Sequence, residues 1–128
     1  MRVLLDTCVV IWAIVTPSSL SAQAARTIAD DGNEIFVSAA SAWEIATKVR
    51  IGKLPGAEAL ERDYLAVLET AGYTPLDLDT PSALRAGRLV AKHRDPFDRM
   101  IAAQALALDI AVISPDSLLD QFGVRRIW

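Results

Sequence analysis

The chain is poor in the residues that most often announce a site. It has one cysteine, Cys8, so an internal disulfide is impossible and nothing calls for an oxidising compartment. Cys8 reads as a small apolar residue of the first helix. There is one histidine, His93, which excludes a histidine-rich metal centre; between Lys92 and Arg94 it reads as a surface residue rather than a general base. Positive charge is not in excess either. Thirteen Lys and Arg stand against 16 Asp and Glu, a net charge of −3, so any grip on nucleic acid has to be local. No apolar run reaches the roughly 20 residues that a membrane span needs. Arg2, the run Val3–Val15 and Ala22-Gln23-Ala24 imitate a signal peptide, but Asp6 interrupts the run and Thr16-Pro17-Ser18-Ser19 ends it. The protein is therefore expected in the cytoplasm, away from membranes. Repeats, low-complexity stretches and linkers are also missing.

What remains is a chain of 128 residues, 52% apolar, enough for one domain over residues 1–128 with a sizeable core. Short apolar runs at Val3–Leu5, Glu34–Val37, Pro75–Leu78, Ala111–Ile113 and Val124–Ile127 predict strands. Helical patterns fill the intervals at Cys8–Val15, Ser21–Asp31, Ser38–Arg50, Ala57–Ala71, Thr80–Lys92, Asp95–Leu108 and, briefly, Ser117–Gln121. Thr80-Pro81 and Asp95-Pro96 each read as an N-cap followed by proline at the first helical position. Strands alternating with helices predict an α/β fold, a central parallel sheet flanked by helices on both faces.

Sheets of that kind place their sites outside the carboxyl ends of the strands. Asp6 directly follows the first strand and Asp116 the fourth. Glu44 lies early in the helix after the second strand, and Asp98 in the first turn of the helix opened by Asp95-Pro96. Each acid also has a plainer reading. Asp6 and Asp116 can cap the helices they precede, and Ser41-Ala42-Trp43-Glu44 fits a capping box. Ser38 is the better cap there, which leaves Glu44 in the second turn, in a largely apolar stretch where a carboxylate needs a partner. Asp95 is well explained as a cap. Asp98 is compatible with both roles, because a helix N-terminus favours an ionised carboxylate. Thr7 and Ser114 can support these acids or simply bond the backbone.

Hard oxygen donors without a histidine or cysteine cluster favour Mg2+ or Mn2+ over zinc. Such an ion activates water and steadies phosphoryl oxygens. Eight of the 13 basic residues lie beside the acids: Lys48, Arg50 and Lys53, then Arg85, Arg88, Lys92, Arg94 and Arg99. They supply locally the cationic surface that a polyanionic substrate requires. On these grounds three readings stand: a metal-dependent nuclease, a hydrolase of small phosphoesters, or a non-catalytic scaffold whose acids are caps.

Val3-Leu4-Leu5-Asp6-Thr7, Ser41-Ala42-Trp43-Glu44-Ile45-Ala46-Thr47-Lys48 with Gly52-Lys53-Leu54, and His93-Arg94-Asp95-Pro96-Phe97-Asp98-Arg99 together resemble PIN-domain proteins, specifically the VapC-type toxins of bacterial toxin–antitoxin pairs. Ala111-Val112-Ile113-Ser114-Pro115-Asp116 and Gly123-Val124 fit as well, so the likeness runs the length of the chain in order. It implies a parallel α/β sandwich and Mg2+- or Mn2+-dependent endoribonuclease activity, often on transfer or ribosomal RNA. It further implies that Asp6, Glu44 and Asp98 hold the metal, with Asp116 a fourth acid. Ser114-Pro115 departs there from the threonine-led form of the motif. Lys48, Arg94 and Arg99 become candidate RNA contacts, and a homodimer silenced by a small VapB-type antitoxin is expected.

Overall fold

The computed structural model describes residues 1–128. Five parallel strands, β1 (Arg2–Leu5), β2 (Glu34–Ser38), β3 (Thr74–Leu76), β4 (Ala111–Ile113) and β5 (Arg126–Ile127), form one sheet in the order β3-β2-β1-β4-β5. β1 is central because all of its apolar residues are needed inside. Val3 and Leu5 point into one core, Leu4 into the other, and all three are fully buried. The same alternation divides Ala111 and Ile113 from Val112 in β4. A strand buried on both faces reads as an unbroken apolar run, which is how β1 and β4 appear in the sequence.

Helices α1 (Thr7–Val15), α2 (Ala22–Ala29), α3 (Ala39–Arg50), α4 (Glu58–Arg62) and α5 (Tyr64–Ala71) lie between β1 and β3. They cover one face through Val9, Val10, Ala24, Ile45, Leu60 and Leu68. On the other face α7 (Pro96–Leu108) and a 3₁₀ turn at Ser117–Phe122 bury Ile101, Ala102, Ala105, Leu119 and Phe122, with α6 (Thr80–Arg88) packed against α7. No helix is long and apolar enough to cross a membrane.

Several boundaries differ from expectation; β3 ends at Leu76 rather than Leu78, and β5 starts at Arg126 rather than Val124. The amphipathic stretch Ala57–Ala71 is two helices, broken at Asp63 (φ −109°, ψ 32°). α6 is capped by Asp79, whose side chain accepts the amide of Ser82; Thr80 is already helical. α6 also stops at Arg88 rather than Lys92, and Leu89 turns extended.

Topology locates the site. The chain leaves β1 for β2 and β3 on one side, then returns to lay β4 on the other side of β1. That reversal opens a crevice at the carboxyl ends of β1 and β4, where ligands of open α/β sheets bind.

Candidate active site

Asp6 and Ser114 are the first residues past β1 and β4, so the register of the sheet brings them together. Asp6 is 5% exposed. Its Oδ1 accepts the amide of Thr7 at 2.7 Å and its Oδ2 accepts the Ser114 hydroxyl at 2.6 Å. Ser114 Oγ in turn accepts the amide of Asp116 at 3.0 Å. Burial raises the pKa of Asp6 above the usual carboxylate value. The two hydrogen bonds oppose this, and the nearby charges of Glu44 and Asp116 reinforce it. Asp116 caps the 3₁₀ turn with Oδ1, which accepts the amide of Leu118 at 2.9 Å; its Oδ2 has no protein partner. Capping thus leaves one oxygen of this side chain free, because a cap uses only one of the two. The Thr7 hydroxyl meets Ser41 Oγ at 2.9 Å and ties α1 to α3. The Cys8 thiol lies 3.9 Å from Asp6 Oδ2. Burial, reinforced by Asp6, Asp98 and Glu44, pushes the thiol up to about 12, so it stays protonated and unreactive.

Asp95 is the cap that its position announced. Its Oδ1 accepts the amides of Phe97 at 2.9 Å and Asp98 at 3.1 Å. Asp98 turns inward toward His93, whose Nε2 lies 2.6 Å from Asp98 Oδ2. Both side chains are 15% exposed. Burial lifts the pKa of Asp98 to about 6 against the His93 hydrogen bond, and the charges of Asp6 and Asp95 add to the rise. One ligand atom from each of His93, Asp98 and Asp116 lies within 4.8 Å of the others. The surface position expected for His93 is therefore wrong. Its ring packs on Phe122 at 5.9 Å between centroids, and its carbonyl accepts from Arg99 at 2.8 Å.

Glu44 approaches from α3. Ser38 caps that helix by accepting the amide of Ala40, which leaves Glu44 free of capping duty. Glu44 is buried and its Oε2 pairs with Lys48 Nζ at 2.5 Å. The Glu44 hydrogen bond raises the pKa of Lys48; partial burial opposes it, and Asp95 and Asp98 add to it. Next to these acids, Trp43 and Phe97 meet edge-to-face at 4.9 Å, joining α3 to the start of α7.

A family model for the PIN domain matches residues 3–124. The chain belongs to the PIN-domain family. Its fold is also that of VapBC2 from Rickettsia felis, solved bound to a DNA fragment from their promoter. The TM-score is 0.72 at 14% identity, over 99% of this chain and 98% of that one. FitAcB from Neisseria gonorrhoeae (TM-score 0.62, 20% identity, 98% and 96% covered) is similar in the same way. So is VapBC-1 from nontypeable Haemophilus influenzae (0.62, 19%, 99% and 97%). None of the curated proteins matches the sequence.

PIN domains are in general nucleases that bind divalent metal. The donor set of this PIN domain fits such an ion. Asp6, Asp98 and Asp116 converge in a largely buried place, and no lysine or arginine bonds any of them. Carboxylates left to repel one another in this way are what a hard dication neutralises.

In this PIN domain the guanidinium of Arg99 is directed at backbone carbonyls. Its Nε bonds the carbonyl of Ala86 at 3.0 Å, its Nη1 those of His93 and Ala91, and its Nη2 that of Leu89. The guanidinium also stands 5.6 Å from the centre of the Phe122 ring. Arg99 is thus a clamp on the segment between α6 and α7, and its donors are spent on backbone. Arg94 remains exposed. It lines, with Lys92, His93 and Arg99, a cavity of about 620 Å³.

Proposed function

We propose that this PIN domain is a divalent-metal-dependent endoribonuclease, the VapC-type toxin of a toxin–antitoxin pair, acting on cellular RNA such as transfer or ribosomal RNA. The observation that carries the reading is the cluster of Asp98 and Asp116 with His93, close enough to buried Asp6 for their charges to act on one another, with Glu44 near Asp6, at the switch point of the sheet. Asp6, Asp98 and Asp116 would hold the ion, Mg2+ or Mn2+, and Glu44 would complete the acidic wall. A bound dication supplies an activated water and neutralises charge on the phosphoryl oxygens.

The protein's own groups do the rest. Ser114 orients Asp6 and favours its ionised form against the effect of burial, and Thr7, bonded to Ser41, fixes the start of α1. Lys48, 42% exposed and facing the acids, and Arg94 contact the RNA backbone. The partner is a small VapB-type antitoxin, the protein is a homodimer, and both act in the cytoplasm. Support for the partner comes from the fold shared with VapBC and FitAB assemblies.

The test is inducible expression without antitoxin, followed by sequencing of new RNA 5′ ends. Discrete cleavage sites that vanish in Asp6→Asn and Asp98→Asn variants support the proposal. Equal growth arrest by those variants defeats it. Turnover of a chromogenic phosphomonoester, with RNA left intact, would favour a small-molecule hydrolase instead.

A further inference from the structure

We infer that His93 is a nitrogen ligand of the metal in this site, which makes the centre a mixed imidazole–carboxylate site selective for a first-row transition ion, Mn2+, over Mg2+. The inference rests on the proposed metal-dependent nuclease and concerns a residue to which that reading assigns no role.

Four observations carry it. A nitrogen of His93 and one carboxylate oxygen each of Asp98 and Asp116 lie within 4.8 Å of one another. Donors about 2.1 Å from a small dication stand roughly 3 to 4 Å apart, so small side-chain rotations suffice to bring the three onto one ion. Second, the ring is held from two sides: Phe122 packs against it and Arg99 fixes its backbone carbonyl. Phe122 belongs to the same turn that Asp116 caps. Third, Nε2 is directed at Asp98 Oδ2, 2.6 Å away, and not at solvent. Fourth, no other protein group hydrogen-bonds either ring nitrogen. A dication held between the two side chains would take the place of this hydrogen bond.

The chemical consequence follows from donor hardness. Mg2+ takes oxygen ligands and keeps much of its water, whereas imidazole favours first-row transition ions. An all-carboxylate cluster discriminates little between Mg2+ and Mn2+; one imidazole tips the balance toward Mn2+.

The chain's single histidine makes a direct test possible in the unaltered protein. The protein is prepared without a polyhistidine tag, once with natural-abundance and once with 15N-labelled histidine, and loaded with Mn2+. Pulsed electron paramagnetic resonance then reads nitrogen coupling to the bound ion. Expected is a 14N modulation typical of a coordinated imidazole, replaced by the 15N pattern in the labelled sample. In parallel, His93→Gln should weaken Mn2+ by about tenfold or more and Mg2+ by clearly less. Bound Mn2+ with no histidine nitrogen coupling overturns the inference and makes His93 a residue that only orients Asp98. Failure of Mn2+ to bind, seen as an unchanged free-ion signal, overturns the metal-dependent reading itself.

Discussion

Ser114 and Asp6, 108 residues apart in the chain, share a 2.6 Å hydrogen bond that closes the site between β1 and β4. Ser114 is fully buried, so no water can replace its hydroxyl without rearrangement. Ser114→Ala should lower stability by about 1–3 kcal/mol, the cost of leaving a buried acceptor unpaired. It should also raise the Asp6 pKa further, since a stabiliser of the charged form is lost. Ser114→Thr keeps the hydroxyl and should recover most of both. Thermal melts and cleavage assays on the two variants check this; equal behaviour would deny Ser114 its role.

Stability without metal should fall as pH rises. Asp98 titrates near 6 in the folded protein and close to 3.9 when unfolded, and Asp6 is shifted in the same direction. The folded state therefore holds protons that the unfolded state releases. The resulting penalty is fully present above the folded pKa and disappears as pH falls toward the unfolded value. In EDTA, the protein should be more stable at about pH 5 than at pH 7, by on the order of 1 kcal/mol from Asp98. Melts across that window measure it. A flat profile or a loss on acidification would contradict the assignment.

Asp98→Asn and Asp95→Asn separate ligand from cap. Asparagine at position 95 keeps the oxygen that accepts two amides, so α7 should start normally and activity should survive. Asparagine at position 98 removes a charge from the cluster. That variant should be inactive, yet melt higher than wild type in EDTA and gain much less from millimolar Mg2+. Inactive Asp95→Asn alongside active Asp98→Asn would reverse the two assignments.

Arg99 and Lys48 should differ in kind. Arg99→Ala strips donors from the carbonyls of Ala86, Leu89 and His93 and should cost about 2 kcal/mol of stability. Lysine should not rescue it, because one ammonium cannot reach carbonyls in several directions at once. Lys48→Ala and Arg94→Ala should instead weaken RNA binding and each reduce the salt dependence of affinity by about one ion. Binding titrations at several salt concentrations, paired with melts, distinguish the two patterns.

The acids after β1 and β4 could be read from the sequence because strand ends are local signals. An apolar run followed by Asp6 or by Ser114-Pro115-Asp116 needs no tertiary information. The Asp95 cap was equally plain. His93 was hidden for a physical reason: it lies in the segment between α6 and α7, whose path is set by a distant guanidinium. Arg99 takes the Ala86 carbonyl that a continuing helix would offer to Val90, so α6 ends at Arg88, with no proline directly after it and its only glycine, Gly87, inside the last turn. The same clamp carries Lys92-His93-Arg94, by composition a solvated run, to the edge of the acids. The break at Asp63 was likewise silent, since the apolar stripe of Leu60, Tyr64, Val67 and Leu68 continues across it.

The placement of β1 has a consequence for the cell that makes the protein. β1, the middle strand of the sheet, leaves the ribosome well before its partner β4, which lies far downstream in the chain. Until then Leu4 lacks Val112 beside it, and Asp6 lacks both the Ser114 hydroxyl and the neighbouring Asp116. Pairing over so long a stretch of chain is slow and comes late in folding. A chain interrupted before β4 therefore carries only half of the crevice.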